Sequence, residues 1–195
     1  MSYKWNTRTE LLLGAERMEY LSHCHVLVVG LGGVGAYAAE QICRAGIGHI
    51  TIVDADTVND SNINRQLPAL HSTLGMQKAE VVGQRLLDIN PRLKLTILNE
   101  FLRDERTEEV LSAQKYDFIV DAIDSLSPKA YLLYHAYRRE IPIVSSMGAG
   151  AKIDPSQVKI ADISKTCNCA LAKAVRKRLR GMGLNKGIPV VFSTE

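Results

Sequence analysis

Short runs of branched apolar residues alternate along this chain with longer stretches whose apolar positions recur every three or four residues. The first pattern predicts buried strands and the second amphipathic helices. Strands are predicted near residues 25–29, 49–53, 93–98, 118–120 and 142–144. Helices are predicted over 34–45, 78–89, 104–113 and 128–139. Strand and helix take turns, the order expected of an α/β fold with a doubly wound, mainly parallel sheet and helices on both faces. Ahead of it, Leu11, Leu12, Leu13, Met18 and Leu21 stand among polar residues and predict one or two short amphipathic helices. Near the C-terminus, Val158-Lys159-Ile160-Ala161-Asp162-Ile163 alternates, which predicts an antiparallel extension of the sheet. Residues 170–180 read as a basic helix. The last run, Val190-Val191-Phe192, reads as a strand with no closing element, so a single domain over residues 1–195, truncated at its C-terminus, is expected.

Composition narrows the class only a little. A chain of 195 residues suits one domain with a sizeable core. Its 46% hydrophobic and 23% charged residues are those of an ordinary globular protein, and a net charge of +3 points to no partner by itself. No apolar run approaches the length of a membrane span, and the N-terminus has no signal-like apolar core. Four scattered cysteines, Cys24, Cys43, Cys167 and Cys169, do not make a disulfide scaffold, and a reducing, cytoplasmic setting fits them.

The first strand runs into Gly30-Leu31-Gly32-Gly33-Val34-Gly35, and a helical pattern follows at once. Strand, glycine turn and helix together give the Gly-x-Gly-x-x-Gly spacing a physical meaning. Gly30 allows the tight turn, Gly32 lets phosphate approach the backbone, and Gly35 lets the helix pack close to the strand; Gly33 is counted with them as nucleotide-binding. The helix then offers free N–H groups and its positive dipole end to an anion. Asp54 closes the second strand and is placed to accept ribose hydroxyls. A Rossmann scaffold for NAD or FAD would share these features.

The polar loop that follows tilts the reading toward a triphosphate. It carries Asp56, Asn62, Arg65 and Gln66, and Lys78 stands at the next helix start. Asp124 lies just past the fourth strand, where it can hold Mg²⁺ through oxygen or cap the helix near Pro128. Two cations, a metal carboxylate and a glycine turn exceed what one pyrophosphate requires and suit ATP. As a set they can stabilise charge on a transferring phosphorus or a departing pyrophosphate.

These motifs, with Asp54-Ala55-Asp56, Ser61-Asn62-Ile63-Asn64-Arg65-Gln66, Lys78 and Asp121-Ala122-Ile123-Asp124, resemble the ThiF/MoeB/HesA superfamily, relatives of the ubiquitin-activating enzymes. The resemblance covers about residues 5–165. It implies ATP-dependent adenylation of a carboxylate on a Rossmann-like sheet. Asp54 would bind ribose, Asn62, Arg65 and Lys78 would contact phosphates, and Asp124 would hold Mg²⁺. It also implies a homodimer in which an N-terminal arginine, here Arg8, reaches the partner's phosphates. Within the superfamily the chain is most similar to the group that dehydrates threonylcarbamoyladenosine in tRNA. That similarity rests on Asn64-Arg65-Gln66, Asp121-Ala122-Ile123-Asp124-Ser125, Gly148-Ala149-Gly150, Ile153-Asp154-Pro155 and Phe192-Ser193-Thr194-Glu195.

Two other activities stay open on the sequence. One is C-terminal adenylation of a ubiquitin-like sulfur carrier, which would bring a sulfur-transfer partner. Such enzymes commonly carry two Cys-x-x-Cys zinc pairs, whereas this sequence has only Cys167-Asn168-Cys169. The other is an NAD-dependent oxidoreductase. In favour of a tRNA partner, residues 163–194 contain no Asp or Glu but carry Lys165, Lys173, Arg176, Lys177, Arg178, Arg180 and Lys186. A solvated helix face would have the same composition.

Overall fold

A computed structural model describes residues 4–195. The chain forms two compact units, Met1–Glu100 and Phe101–Glu195.

In the first unit, helices α1 (Thr7–Leu13) and α2 (Ala15–His23) precede strand β1 (His25–Val29). Helix α3 (Gly35–Arg44), strand β2 (His49–Val53), helix α4 (Lys78–Ile89) and strand β3 (Lys94–Leu98) follow. The strands are parallel in the order β3-β2-β1, with His25 opposite His49 and His49 opposite Lys94. All five residues of β1 are buried, as a strand covered on both faces demands. Helix α3 buries Ala36, Ala39, Glu40 and Cys43, a stripe at helical spacing. The buried Glu40 carboxylate is ion-paired to Arg44 at 2.8 Å and to Arg85 at 2.5 Å, which ties α3 to α4. The Arg85 hydrogen bond is the main influence holding its pKa below the ordinary range. Gly83 lets α4 lie close on β3, since a Cβ there would stand 2.5 Å from Ile97 Cδ1. Helix α2 packs at the turn leading into β2, where the Gly48 N–H donates to the Leu21 carbonyl at 3.2 Å.

The second unit holds α5 (Asp104–Ala113), β4 (Phe118–Asp121), α6 (Leu126–Arg138) and β5 (Ile143–Ser146). It continues with β6 (Val158–Asp162), α7 (Ala170–Gly181) and β7 (Pro189–Ser193). Its strand order is β4-β5-β7-β6, parallel except for the β6–β7 pair, which is the antiparallel extension the alternation predicts. Ile119, Leu132, Leu133, Val175, Leu179 and Val190 form its core. The mainly parallel α/β fold is therefore the one expected. Helix α6 begins at Leu126, two residues before the predicted start at Pro128. A proline is tolerated in a first turn because the N–H it lacks would have no intrahelical partner there. Among the described residues, no helix is long and apolar enough to cross a membrane.

Candidate nucleotide-binding site

The glycine turn is held by the end of β2. Gly30 adopts a φ of 87°, a region open to glycine, and its N–H donates to the Val53 carbonyl at 2.8 Å. The Leu31 N–H donates to Asp54 Oδ2 at 2.6 Å, and the Asp56 N–H donates to Asp54 Oδ1 at 2.8 Å. Each carboxylate oxygen of Asp54 thus has one backbone donor and a further lone pair to offer. Burial pushes the Asp54 carboxyl above the usual range, opposed by those two N–H groups and by the positive charge of Lys78.

Lys78 is placed by the backbone rather than by its own side chain. Residues 56–58 pair with 75–78 as a short antiparallel neck. The Val58 N–H donates to Met76 O at 2.8 Å, the Gly75 N–H to Val58 O at 2.9 Å, and the Lys78 N–H to Asp56 O at 2.9 Å. Thr57 and Gln77 form the bridge between them. The neck closes 22 residues of sequence and brings Lys78 Nζ within 3.0 Å of Asp56 Oδ2. The Lys78 side chain is only 6% exposed, against 53% for Asp56, so the cation is not a solvated surface charge.

Between the strands of this neck the chain folds back over the glycine turn. A 3₁₀ turn at Asp60–Asn62 is fastened by the Asn59 N–H, which donates to Asn62 Oδ1 at 3.1 Å. Asn62 is buried, and its side-chain oxygen shapes the loop. Arg65 is exposed, and its Nη1 donates to Ser61 O and to Asn64 Oδ1, both at 2.9 Å. Its stem lies along the turn: a Cβ on Gly33 would stand 3.6 Å from Arg65 Cγ. The Gln66 amide lies over Gly32, and its Oε1 is buried without a hydrogen-bond partner among the described residues. The structure thus gathers Gly30, Gly32, Gly33, Asp54, Asp56, Asn62, Arg65, Gln66 and Lys78 at the carboxyl ends of β1 and β2, with Gly35 opening α3.

Arg8 is not among them. It is exposed on α1, which packs on α2 near the opposite ends of these strands. In the second unit, Asp124 is exposed just after β4, and Ser125, not Asp124, is the N-cap residue of α6. Three residues earlier stands a group that sequence reasoning missed. Asp121 and Lys129 are both fully buried and ion-paired at 2.8 Å. Ser145 Oγ donates to Asp121 Oδ2 at 2.5 Å, the Ile123 N–H to Asp121 Oδ1 at 3.0 Å, and Lys129 Nζ to the Ile123 carbonyl at 2.7 Å. Lys129 thereby grips both ends of the turn that carries Asp124 outward. The available signal was a lysine on the apolar side of α6, one position before Ala130 and four before Leu133.

The profile of the ThiF family matches residues 3–191. The chain belongs to the ThiF family. Among other members, it is 43% identical over 189 residues to the tRNA threonylcarbamoyladenosine dehydratase of Bacillus subtilis, covering 97% of this chain and 74% of that one. It is 40% identical to the Escherichia coli protein of the same name, covering 100% of this chain and 76% of the relative. The crystal structure of that E. coli dehydratase in complex with ATP superposes with a TM-score of 0.93 at 38% identity, covering 98% of this chain and 82% of that one.

Proposed function

We propose that this protein uses ATP to adenylate the carboxylate of N6-threonylcarbamoyladenosine in tRNA and so drives its cyclising dehydration. The observation that carries the reading is that Asp54 and Arg65 lie against one glycine turn while Lys78 is held beside Asp56, whose N–H bonds Asp54, in a chain similar over nearly its whole length to dehydratases of that name. A carboxylate is a poor electrophile because its oxygen leaves badly. Attack of a carboxylate oxygen on the α-phosphorus forms a P–O bond and releases pyrophosphate. An internal nucleophile then attacks the activated carbonyl, closes the ring and releases AMP. The net change is loss of one water from the nucleoside, with ATP converted to AMP and pyrophosphate.

Each residue has a part in this scheme. Asp54 accepts ribose hydroxyls with the lone pairs its backbone donors leave over. The glycine turn and the α3 N-terminus face the phosphates. Arg65 and Lys78 neutralise charge on the phosphates as pyrophosphate departs. The unpartnered Gln66 Oε1 suits a donor on the nucleotide. Asp124, an exposed carboxylate, is the residue that would hold Mg²⁺. Mg²⁺ bound with ATP would neutralise negative charge on the triphosphate. Arg8, remote from the loop in its own chain, is supplied across a homodimer. The working compartment is the cytoplasm.

The test is nucleoside mass analysis of tRNA carrying the modified base, after incubation with this protein, ATP and Mg²⁺. Loss of one water, dependent on ATP, is expected. ATP–pyrophosphate exchange that needs a carrier protein ending in Gly-Gly, with the nucleoside unchanged, would replace this reading with sulfur-carrier activation.

A further inference from the structure

Helix α7 presents a cationic face with no counter-charge on its own segment. It buries Ala172, Val175 and Leu179. Lys173, Lys177 and Arg180 are exposed, with Arg176 half-buried beside them. Positions i, i+3, i+4 and i+7 share one side of a helix, so these four cations form a strip about 10 Å long. Arg176 is fixed there, because its Nη1 donates to the Thr166 carbonyl at 2.9 Å and also to the Thr166 hydroxyl.

The charge is segregated. Residues 163–194 hold seven of the chain's 24 cations and none of its 21 acids, so the remaining residues hold 17 cations against 21 acids. The modest net charge of +3 conceals a mildly acidic body bearing one basic segment. Helix physics does not account for it. Arg178 and Arg180 in the last turn suit the negative dipole end, but Lys173 stands in a first turn that has no acid, where the dipole disfavours a cation. Lys173 with Lys177, and Arg176 with Arg180, are like charges at i, i+4, which repel.

We propose that this face of α7 binds the phosphate backbone of the tRNA, an inference that rests on the substrate reading above. No Phe, Trp or Tyr lies between Tyr137 and Phe192, so the contact is to phosphates and not to stacked bases. An anionic membrane suits the strip less well, because only Ala170 and Ala174 lie among its cations and no large apolar side chain is there to enter a bilayer.

The test measures affinity of the full chain for tRNA by fluorescence anisotropy over a series of salt concentrations. Each phosphate contact contributes about 0.7–0.9 to the slope of log affinity against log salt. The triple variant K173Q/K177Q/R180Q should lose roughly two to three units of that slope. A control, K94Q/R103Q/K159Q, removes the same charge from exposed positions elsewhere and should keep the wild-type slope. Both variants should bind ATP like the parent, which shows that they fold. A wild-type slope in the α7 variant, an equal loss in the control, or capture by phosphatidylserine vesicles in place of tRNA would each overturn the proposal. A normal slope shift with an unchanged nucleoside would leave α7 as the RNA face and refute the proposed reaction instead.

Discussion

Lys78→Met separates the catalytic from the structural weight of the buried cation. Methionine keeps the length of the stem and removes the charge. Structurally the loss is small. The partner Asp56 is half-exposed and is rehydrated when the ammonium goes, so solvent screening limits the pair to ~0–1 kcal/mol. Catalytically the loss is larger. Two unit charges ~4 Å apart at an effective dielectric of ~20 interact by ~4 kcal/mol. If about half a charge develops at the departing pyrophosphate, Lys78 favours the transition state by ~2 kcal/mol, roughly 30-fold in rate. Preorganised donors elsewhere reach about 10²–10³-fold, which sets the upper end. Single-turnover formation of AMP reads the rate, and urea denaturation reads the stability. The expected result is a rate lowered by about 30-fold to 10³-fold with an almost unchanged denaturation midpoint. A variant that turns over at the parental rate, or whose loss of activity follows loss of fold, refutes the placement of Lys78 at the phosphates.

Three further outcomes follow from the geometry. Asp54 has a folded pKa raised by burial, so folding stability should fall as pH rises between its unfolded and folded values and level off above the latter. ATP affinity should rise over the same acid-side window, because ribose hydroxyls bond the ionised carboxylate; equilibrium binding at flat affinity through that window would argue against the ribose role. Lys129→Met strands the Asp121 carboxylate in a fully buried site and should destabilise the protein by about 3–5 kcal/mol, with part recovered by adding Asp121→Asn, as urea denaturation would show. Gly48→Ala puts a Cβ 1.7 Å from the Ser22 carbonyl oxygen, whereas Gly83→Ala meets side chains alone, Ile97 Cδ1 at 2.5 Å and Leu95 Cδ2 at 3.3 Å. The first should exceed the ~1–3 kcal/mol usual for overpacking and the second should not, in the same assay.

The strands and glycine turn were legible because their signals are local. Apolar runs such as Val26-Leu27-Val28-Val29 can only be satisfied in a sheet covered on both faces, and β1 is buried throughout. Asp54 was legible because strand ends and turn spacing fix where it stands. The bond partners were not. Nothing near Lys78 in sequence names Asp56, since backbone pairing at Thr57 and Gln77 brings the two together. Asn62 read as a ligand for phosphate, yet its oxygen also builds the loop by accepting the Asn59 N–H. Lys129 was passed over because a lysine in a helix ordinarily lies in solvent, and only the fold reveals the carboxylate beneath it.

The neck between residues 56–58 and 75–78 anchors Lys78 independently of the chain that loops out between its strands. With both ends of the excursion fastened by main-chain bonds, insertions or deletions between Gln66 and Gly75 would leave the ammonium of Lys78 where it stands. The position of that side chain is thereby decoupled from the length of the arch beyond it.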